Sequence, residues 1–348
     1  MISSAYRFGL KGLLISTLLF VSSTANVIAL EEQTQPSEQA NNPADDLPAI
    51  EHVMSYEEAA ATPVPEPPNR EIESETLLMD AVRYKELIEN KASQVPFLIL
   101  PHKPNYLMPI SYQANPYNEP FEDFVGEDEW QGLSNQEAAF QLSIKYKIMD
   151  LPGRKDNRLY VAYTNQSYWQ VYNGKISRPF RETNHEPEIM AVFNPEWKYL
   201  SRAYVSLSHQ SNGQYTQFSR SWNRIIFGAF HITGNSVVGI TPWWRLPETQ
   251  KADPEDPSDN DNPDIDDYMG YGEFIYLKMI GPRTLTLRLR NNLREENNRG
   301  AIIAEWSFPI TPRVKGFVHY FEGFGESLIE YNHYQKRLGI GFKVSDYL

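Results

Sequence analysis

The stretch Tyr199-Leu-Ser-Arg-Ala-Tyr-Val-Ser-Leu-Ser-His-Gln-Ser-Asn-Gly213 alternates between two kinds of side chain. Successive side chains of a β-strand point to opposite faces. One face then carries Tyr199, Ser201, Ala203, Val205, Leu207, His209 and Ser211, and the other carries Leu200, Arg202, Tyr204, Ser206, Ser208 and Gln210. The first face is mostly apolar, whereas the second holds the arginine and most of the hydroxyls. In a membrane barrel the apolar face contacts lipid and the polar face lines the lumen, so the stretch predicts one strand of such a barrel.

Ten further stretches after Pro96 show the same alternation, broken by Gly, Pro, Asn and Asp. They are Ala139–Ile148, Leu159–Tyr172, Ile189–Phe193, Arg220–Ile232, Ser236–Leu246, Met269–Ile280, Thr284–Leu293, Ala301–Phe308, Val314–Phe321 and Lys336–Val344. Short turns alternate with longer polar insertions, as is typical of outer-membrane barrels. We therefore predict an all-β fold for residues 93–348, an antiparallel transmembrane β-barrel of about 12 strands. A soluble β-sandwich stays open as the alternative.

The first 29 residues are predicted to be a secretory signal peptide. Arg7 and Lys11 precede the short apolar run Leu13–Val21, and the small-x-small triplet ending at Ala29 suits cleavage after that residue. The run is too short to cross a bilayer core of ~30 Å. No later segment has the length of apolar sequence that a transmembrane helix requires. An exported chain of this kind spans a membrane only as a closed barrel.

Residues 30–92 are predicted to be an acidic, Pro- and Glu-rich tail, disordered or periplasmic. Fifteen acidic and four basic residues lie between Leu30 and Lys91, so most of the net charge of −13 belongs to the tail. Such acidity disfavours a nucleic-acid partner. Leu77–Ile88 is spaced like a short amphipathic helix. The chain contains no cysteine, which excludes disulfides and thiolate metal sites.

His209 and Ser211 share the apolar, outward face, with Cα atoms within ~7 Å of each other. A serine hydroxyl becomes a good nucleophile when a base such as histidine takes its proton, and a third group must orient that base. The next strand also places Asn223 outward, opposite His209 if the hairpin closes around Thr216. An amide accepts the imidazole N–H without the cost of a carboxylate in hydrocarbon. Ser211 is therefore the candidate nucleophile, His209 the base and Asn223 the orienting group.

His-x-Ser alone is a common chance pattern, but longer motifs surround it. His209-Gln-Ser-Asn-Gly213 followed by Ser219-Arg-Ser-Trp-Asn-Arg224 resembles the outer membrane phospholipase A family of Gram-negative bacteria. The resemblance covers most of the chain from about Pro96 onward. Further matching motifs are Pro179-Phe-Arg-Glu-Thr-Asn184, Asp261-Asn-Pro-Asp-Ile265, Tyr268-Met-Gly-Tyr271 and Gly323-Phe-Gly-Glu-Ser-Leu-Ile-Glu-Tyr331.

The resemblance implies a calcium-dependent enzyme that cleaves the sn-1 and sn-2 acyl esters of glycerophospholipids and is active as a homodimer. It assigns part of the oxyanion hole to the backbone N–H of Gly213. By the same resemblance the Ca²⁺ ligands fall on Ser219, the backbone carbonyl of Gln214 and Ser177, with Asp261 as a further candidate. Oxygen-only ligation suits Ca²⁺.

Four positions depart from the family pattern. Gln214 stands where the family commonly has Arg, and Thr216-Gln217 replaces an Asp-Pro, which is expected to weaken Ca²⁺ binding by a monomer. Asn165 stands in place of a glutamine at the dimer interface, and its shorter reach is expected to lower dimer affinity. The last residue is Leu348, whereas outer-membrane strands usually end in Phe.

Three alternative functions were weighed against the sequence. A non-catalytic, porin-like barrel gives no reason for His209, Ser211 and Asn223 to share the lipid face. A soluble secreted serine hydrolase predicts a Gly-x-Ser-x-Gly motif, which the chain lacks. A barrel that has lost its activity conflicts with the intact His, Ser and Asn.

Overall fold

The computed structural model describes residues 74–92, 95, 97–122, 132–154, 156–195, 197–249 and 260–347. The predicted signal peptide, most of the predicted acidic tail and Leu348 lie outside the described residues. The first described element is helix α1, Ser74–Ala92, which contains the predicted helix Leu77–Ile88. No helix in these ranges is long and apolar enough to cross a membrane.

Strands make up most of the described chain. They are β1 (Leu100–Pro101), β2 (Asn105–Gln113), β3 (Gln136–Asp150), β4 (Arg158–Trp169), β5 (Phe180–Phe193), β6 (Arg202–Ser211), β7 (Ser221–Thr233), β8 (Ser236–Arg245), β9 (Gly272–Ile280), β10 (Arg283–Asn291), β11 (Gly300–Thr311), β12 (Val314–Gly323) and β13 (Gln335–Ser345). Two short helices, α2 (Glu119–Glu122) and α3 (Ile265–Met269), lie in the connections.

The sheet closes on itself. Each strand from β2 to β13 pairs antiparallel with the next, and β13 pairs with β2 to complete the ring. The two-residue strand β1 lies outside the ring and pairs with the second half of β3. The closed antiparallel barrel of twelve strands confirms the predicted fold class.

The barrel is polar inside and apolar outside. Leu338, Ile340 and Phe342 alternate outward along β13, each about half exposed. In the lumen, the fully buried Glu137 binds the guanidinium groups of Arg181 at 2.9 Å and Arg337 at 2.7 Å. A soluble β-sandwich would bury its apolar face instead, so this distribution is that of a membrane barrel and excludes the sandwich.

Turns at the two ends of the barrel differ in length. Gly234-Asn235, Gly281-Pro282 and Pro312-Arg313 make two-residue turns at one end. The connections at the other end are longer, above all residues 246–271 between β8 and β9. Long loops of outer-membrane barrels face the cell exterior. The C-terminal end of β6, with His209 and Ser211, lies at this long-loop end.

Helix α1 contacts the barrel at the short-turn end. Glu89 pairs with Lys145 of β3 at 3.1 Å, Glu86 pairs with Arg202 of β6 at 2.9 Å, and Lys85 donates to the carbonyl of Tyr347 at 2.6 Å. These contacts join α1 to strands far apart around the ring. Although residues 74–92 were assigned to the predicted tail, they contact the inner side of the barrel wall.

The structure corrects the predicted strands in three places, one missing strand and two wrong starting residues. Strand β2 was not predicted, and β5 begins at Phe180 rather than at Ile189. Met269, predicted to begin a strand, ends helix α3, and β9 begins at Gly272.

Candidate active site

Strands β6 and β7 form the hairpin that carries the predicted site. Asn223 lies directly opposite His209 and Ser221 directly opposite Ser211, as the sequence predicted for the first pair. His209 is exposed on the outer face, whereas Ser208 is fully buried on the inner face. The alternation of β6 therefore places His209 and Ser211 on the lipid-facing side.

The imidazole of His209 is held by an amide. Its Nδ1 lies 2.9 Å from Oδ1 of Asn223, and Nδ2 of Asn223 donates to Oε1 of Glu248 at 2.8 Å. Because Glu248 engages the amide nitrogen, the amide oxygen faces His209 and accepts a hydrogen bond donated by Nδ1–H. The lone pair of Nε2 is then free to accept a proton. This is the tautomer that a general base needs.

Glu248 is a residue of the candidate site that was not predicted from the sequence. It lies just after β8 and also accepts a hydrogen bond from Arg245 at 3.2 Å. The backbone N–H of Leu246 donates to the carbonyl of Asn223 at 2.8 Å, so the chain after β8 runs beside the site. In the sequence, the signal for this contact is an acidic residue two positions after Leu246, the last residue of the predicted strand. The Arg245 guanidinium balances its charge.

Ser211 has neighbours on three strands. His209 precedes it by two residues on β6, Ser221 faces it from β7, and His185 faces it from β5. The hydrogen bonds of the described residues do not include one between Ser211 and His209. Catalytic hydrogen bonds are often loose before substrate is bound. The fold thus brings the candidate base and the candidate nucleophile onto adjacent positions of one face.

The chain turns sharply after Ser211. Gly213 has φ +61°, a conformation that glycine adopts without strain. The buried side chain of Asn212 holds this turn: its Oδ1 accepts from the N–H of Arg220 at 2.9 Å, and its Nδ2 donates to the carbonyl of Phe218 at 2.7 Å. In the described chain the N–H of Gly213 donates to no acceptor, so it is available to a ligand beside Ser211.

Two predicted Ca²⁺ ligands lie together. Ser219 donates a hydrogen bond to Oδ2 of Asp261 at 2.6 Å, and Ser221 lies 3.4 Å from the same oxygen. Gln214 belongs to the same β6–β7 connection. Ser177 is elsewhere, in the β4–β5 connection with φ +62°. The hydrogen bonds named above for the described residues include none between Ser177 and Ser219 or Asp261.

A row of polar residues extends from the site across the outer face. Asn165, His185, Ser211 and Ser221 occupy opposed positions on β4 to β7. The apolar Leu142 of β3 lies opposite Asn165 and ends the row. Asn165, the predicted interface residue, is therefore two strands away from the candidate nucleophile. Such polar groups at membrane depth mark functional surfaces.

Known proteins match this chain over most of its length. The family model for Phospholipase A1 matches residues 83–344. A putative phospholipase A1 of Neisseria meningitidis serogroup B is 38% identical over 70% of this chain and 65% of its own length, so the match spans just under two thirds of that relative. Phospholipase A1 of Escherichia coli K12 is 32% identical over 72% of this chain and 83% of its own length.

Solved structures give the same result. The outer membrane phospholipase A of Escherichia coli has a TM-score of 0.65 at 30% identity, covering 73% of this chain and 94% of that one. The Salmonella typhi outer membrane phospholipase, solved as a dimer with bound calcium, matches with the same values. Matches of this length and identity, on the same closed barrel, show that the chain belongs to the phospholipase A1 family and is a protein of the Gram-negative outer membrane.

Proposed function

We propose that this protein is a calcium-dependent, homodimeric phospholipase that hydrolyses the sn-1 and sn-2 acyl esters of glycerophospholipids. The observation that carries the proposal is the 2.9 Å contact between His209 and Asn223, beside Ser211 on the lipid-facing side of the barrel. A solved Escherichia coli relative is an active-site variant in which an asparagine is replaced by alanine. This supports a catalytic part for Asn223.

Ser211 and His209 perform the chemistry in two halves. The Oγ of Ser211 attacks the ester carbonyl carbon while Nε2 of His209 takes its proton. His209 then returns that proton to the departing lysophospholipid oxygen, which leaves an acyl ester on Ser211. In the second half, His209 takes a proton from water and the resulting hydroxide attacks the acyl carbon. The bond to Oγ of Ser211 then breaks, His209 gives its proton to Oγ, and the fatty acid leaves.

Gly213 supplies a hydrogen bond to the negative charge that develops on the carbonyl oxygen. Its N–H is unused within the described chain and follows the nucleophile by two residues. Asn212 fixes the turn by its hydrogen bonds to Arg220 and Phe218. A donor held in place before reaction is worth more than one that must reorganise.

The position of the site suits a lipid substrate. Val205, Leu207 and Phe227 are exposed apolar side chains on the same outer face. Phospholipid acyl chains contact such a surface in the membrane, while the ester groups lie at the level of the long-loop end.

The porin-like alternative requires an open channel. Helix α1 contacts the wall at one end of the lumen, and an apolar cluster including Trp222, Trp243 and Met269 packs at the other.

Calcium fits the oxygen atoms near Ser211. Ser219 and Asp261 provide a hydroxyl and a carboxylate, and Gln214 provides a backbone carbonyl, all of which are ligands that Ca²⁺ prefers. When bound, the cation supplies positive charge beside the developing oxyanion. Ser177 lies on a different connection, so we assign its hydroxyl to the site of a second copy in a homodimer. The calcium-bound Salmonella typhi dimer supports this assignment.

The dimer is proposed to form through the outer face around Asn165. Oδ1 of Asn165 accepts a hydrogen bond from Ser167 at 3.2 Å. Its Nδ2 has no acceptor among the described residues and faces lipid, where an unsatisfied donor is costly. An identical face of a second copy supplies an acceptor.

The proposal is tested by acyl release from phospholipid in detergent micelles, with calcium and then with chelator. We expect Ser211→Ala to abolish release and chelator to reduce it strongly. Ser206→Ala, which removes a buried lumen hydroxyl from the same strand, is the matched control. Undiminished release by Ser211→Ala would disprove the nucleophile, and release that chelator leaves unchanged would disprove the calcium requirement.

A further inference from the structure

A second histidine contacts the turn that follows the candidate nucleophile. His185 of β5 is the direct cross-strand partner of Ser211. Side chains in such opposed positions have Cβ atoms roughly 4.5–5.5 Å apart. A Cβ placed on Gly213 would lie 3.7 Å from Cδ2 and 3.9 Å from Nε2 of His185. The Nε2 edge of the ring therefore faces the turn whose N–H is proposed to bind the oxyanion.

Tyr163 sets the tautomer of His185. Its hydroxyl lies 2.6 Å from Nδ1 of His185. No other acceptor for this hydroxyl occurs among the described residues, so the hydroxyl donates to Nδ1 rather than leaving its hydrogen unpaired on a lipid-facing surface. A neutral imidazole that accepts at Nδ1 carries its proton on Nε2. His185 thus presents an N–H toward the Gly213 turn.

We propose that Nε2–H of His185 is a second donor of the oxyanion hole, beside the N–H of Gly213. The inference rests on the proposed hydrolysis by Ser211. Two histidines then flank the nucleophile in opposite tautomers. The Asn223 carbonyl makes His209 a proton acceptor at Nε2, whereas the Tyr163 hydroxyl makes His185 a proton donor at Nε2. No proton is transferred by His185, which stabilises charge only while the tetrahedral intermediate exists.

Three variants separate this role from others. His185→Phe keeps a ring of similar size without an N–H, and His185→Gln keeps an N–H donor but cannot act as a base. His231→Phe makes the same change on the outer face near the short-turn end and is the matched control. The measurements are kcat and KM on full-length protein in phospholipid micelles with calcium, with the crosslinked dimer fraction determined for each variant.

We expect His185→Phe to lower kcat by about 10²–10³-fold and to leave KM within about twofold. His185→Gln should recover at least roughly tenfold of that loss, and His231→Phe should match the unsubstituted protein. As a positioning residue, Tyr163 should act only through His185. Tyr163→Phe should therefore lower kcat alone but add nothing in the double variant with His185→Phe.

Four results would overturn the proposal. They are a kcat for His185→Phe within about twofold of the unsubstituted protein, a loss confined to KM, an equal loss in the Phe and Gln variants, and a loss that parallels loss of the dimer. The third result would mean that His185 exchanges protons. Failure of the proposed function is visible separately, as no acyl release by the unsubstituted protein or undiminished release by Ser211→Ala.

Discussion

At the scale of single residues, the two histidines beside Ser211 differ in their hydrogen-bond partners. His209 contacts an amide oxygen and His185 contacts a hydroxyl, at 2.9 Å and 2.6 Å. These contacts are with neutral partners, which suits a face turned toward lipid. The carboxylate of Glu248 lies behind Asn223 and beside Arg245, so it does not contact His209 directly.

Alternation along β6 and β7 was enough to predict that His209, Ser211 and Asn223 meet. The remaining contacts could not be predicted in this way. Glu248 reaches Asn223 from the connection after β8, and Tyr163 reaches His185 from β4. Such contacts depend on side chains from separate strands and on loop conformation, which a two-residue period does not describe.

Glu248 provides a prediction at this scale. Glu248→Ala removes the acceptor that fixes the Asn223 amide, so the amide can turn its NH₂ group toward His209. We expect kcat for acyl release to fall roughly tenfold or more, the usual scale of a hydrogen bond to a charged group. Glu296→Ala, on an exposed loop, is the control. An unchanged kcat in Glu248→Ala would mean that the amide is oriented without the carboxylate.

At the scale of elements, the strands with one continuous apolar face were predicted, whereas β2 and the first part of β5 were not. The inward positions of β5 hold Arg181, Glu182, Asn184, Glu186 and Glu188, and the outward positions Thr183 and His185 are also polar. Strand β2 has a register shift between Met108 and Ser111, beside Pro109. A bulge breaks the two-residue period. Polar lumen packing and bulges therefore conceal strands from periodicity.

Helix α1 gives a prediction that depends on pH. Burial of Lys85 lowers its pKa from 10.5 to about 8, although Glu89 opposes this shift. The unfolded chain then binds more protons than the folded one between those two pH values, so the unfolding free energy rises with pH across that window. The Tm of the unsubstituted protein relative to Lys85→Met should increase from about pH 8 to pH 10.5 and then level. A flat difference would mean that Lys85 is not buried by the docked helix.

At the scale of the whole molecule, polar residues on the outer face connect the candidate active site with the proposed dimer interface. Asn165 lies directly opposite His185, which lies opposite Ser211. A second copy that covers Asn165 therefore also borders the site. Both family membership and the closed barrel were predicted from the sequence, whereas this short path between the proposed interface and the candidate nucleophile required the register of three strands.

Substitutions that change the side chain at position 165 test the proposed dimer interface. Asn165→Gln lengthens the amide and should raise the crosslinked dimer fraction in calcium, with activity rising in parallel. Asn165→Leu removes the polar group and should lower both. Leu142→Ala, the apolar neighbour opposite Asn165 on β3, is the control. Equal dimer fractions in the Gln and Leu variants would exclude this amide as an interface contact.

Covalent labelling tests the central claim, that Ser211 is the nucleophile on the lipid-facing side. The detergent-solubilised protein is treated with a long-chain alkyl sulfonyl fluoride in calcium, digested with trypsin and analysed by mass spectrometry. The peptide spanning residues 203–220 contains Ser206, Ser208, Ser211 and Ser219, so fragmentation locates the label. We predict one label, on Ser211, with none in His209→Ala. A label on another serine, or labelling of Ser211 that persists without His209, would contradict the account.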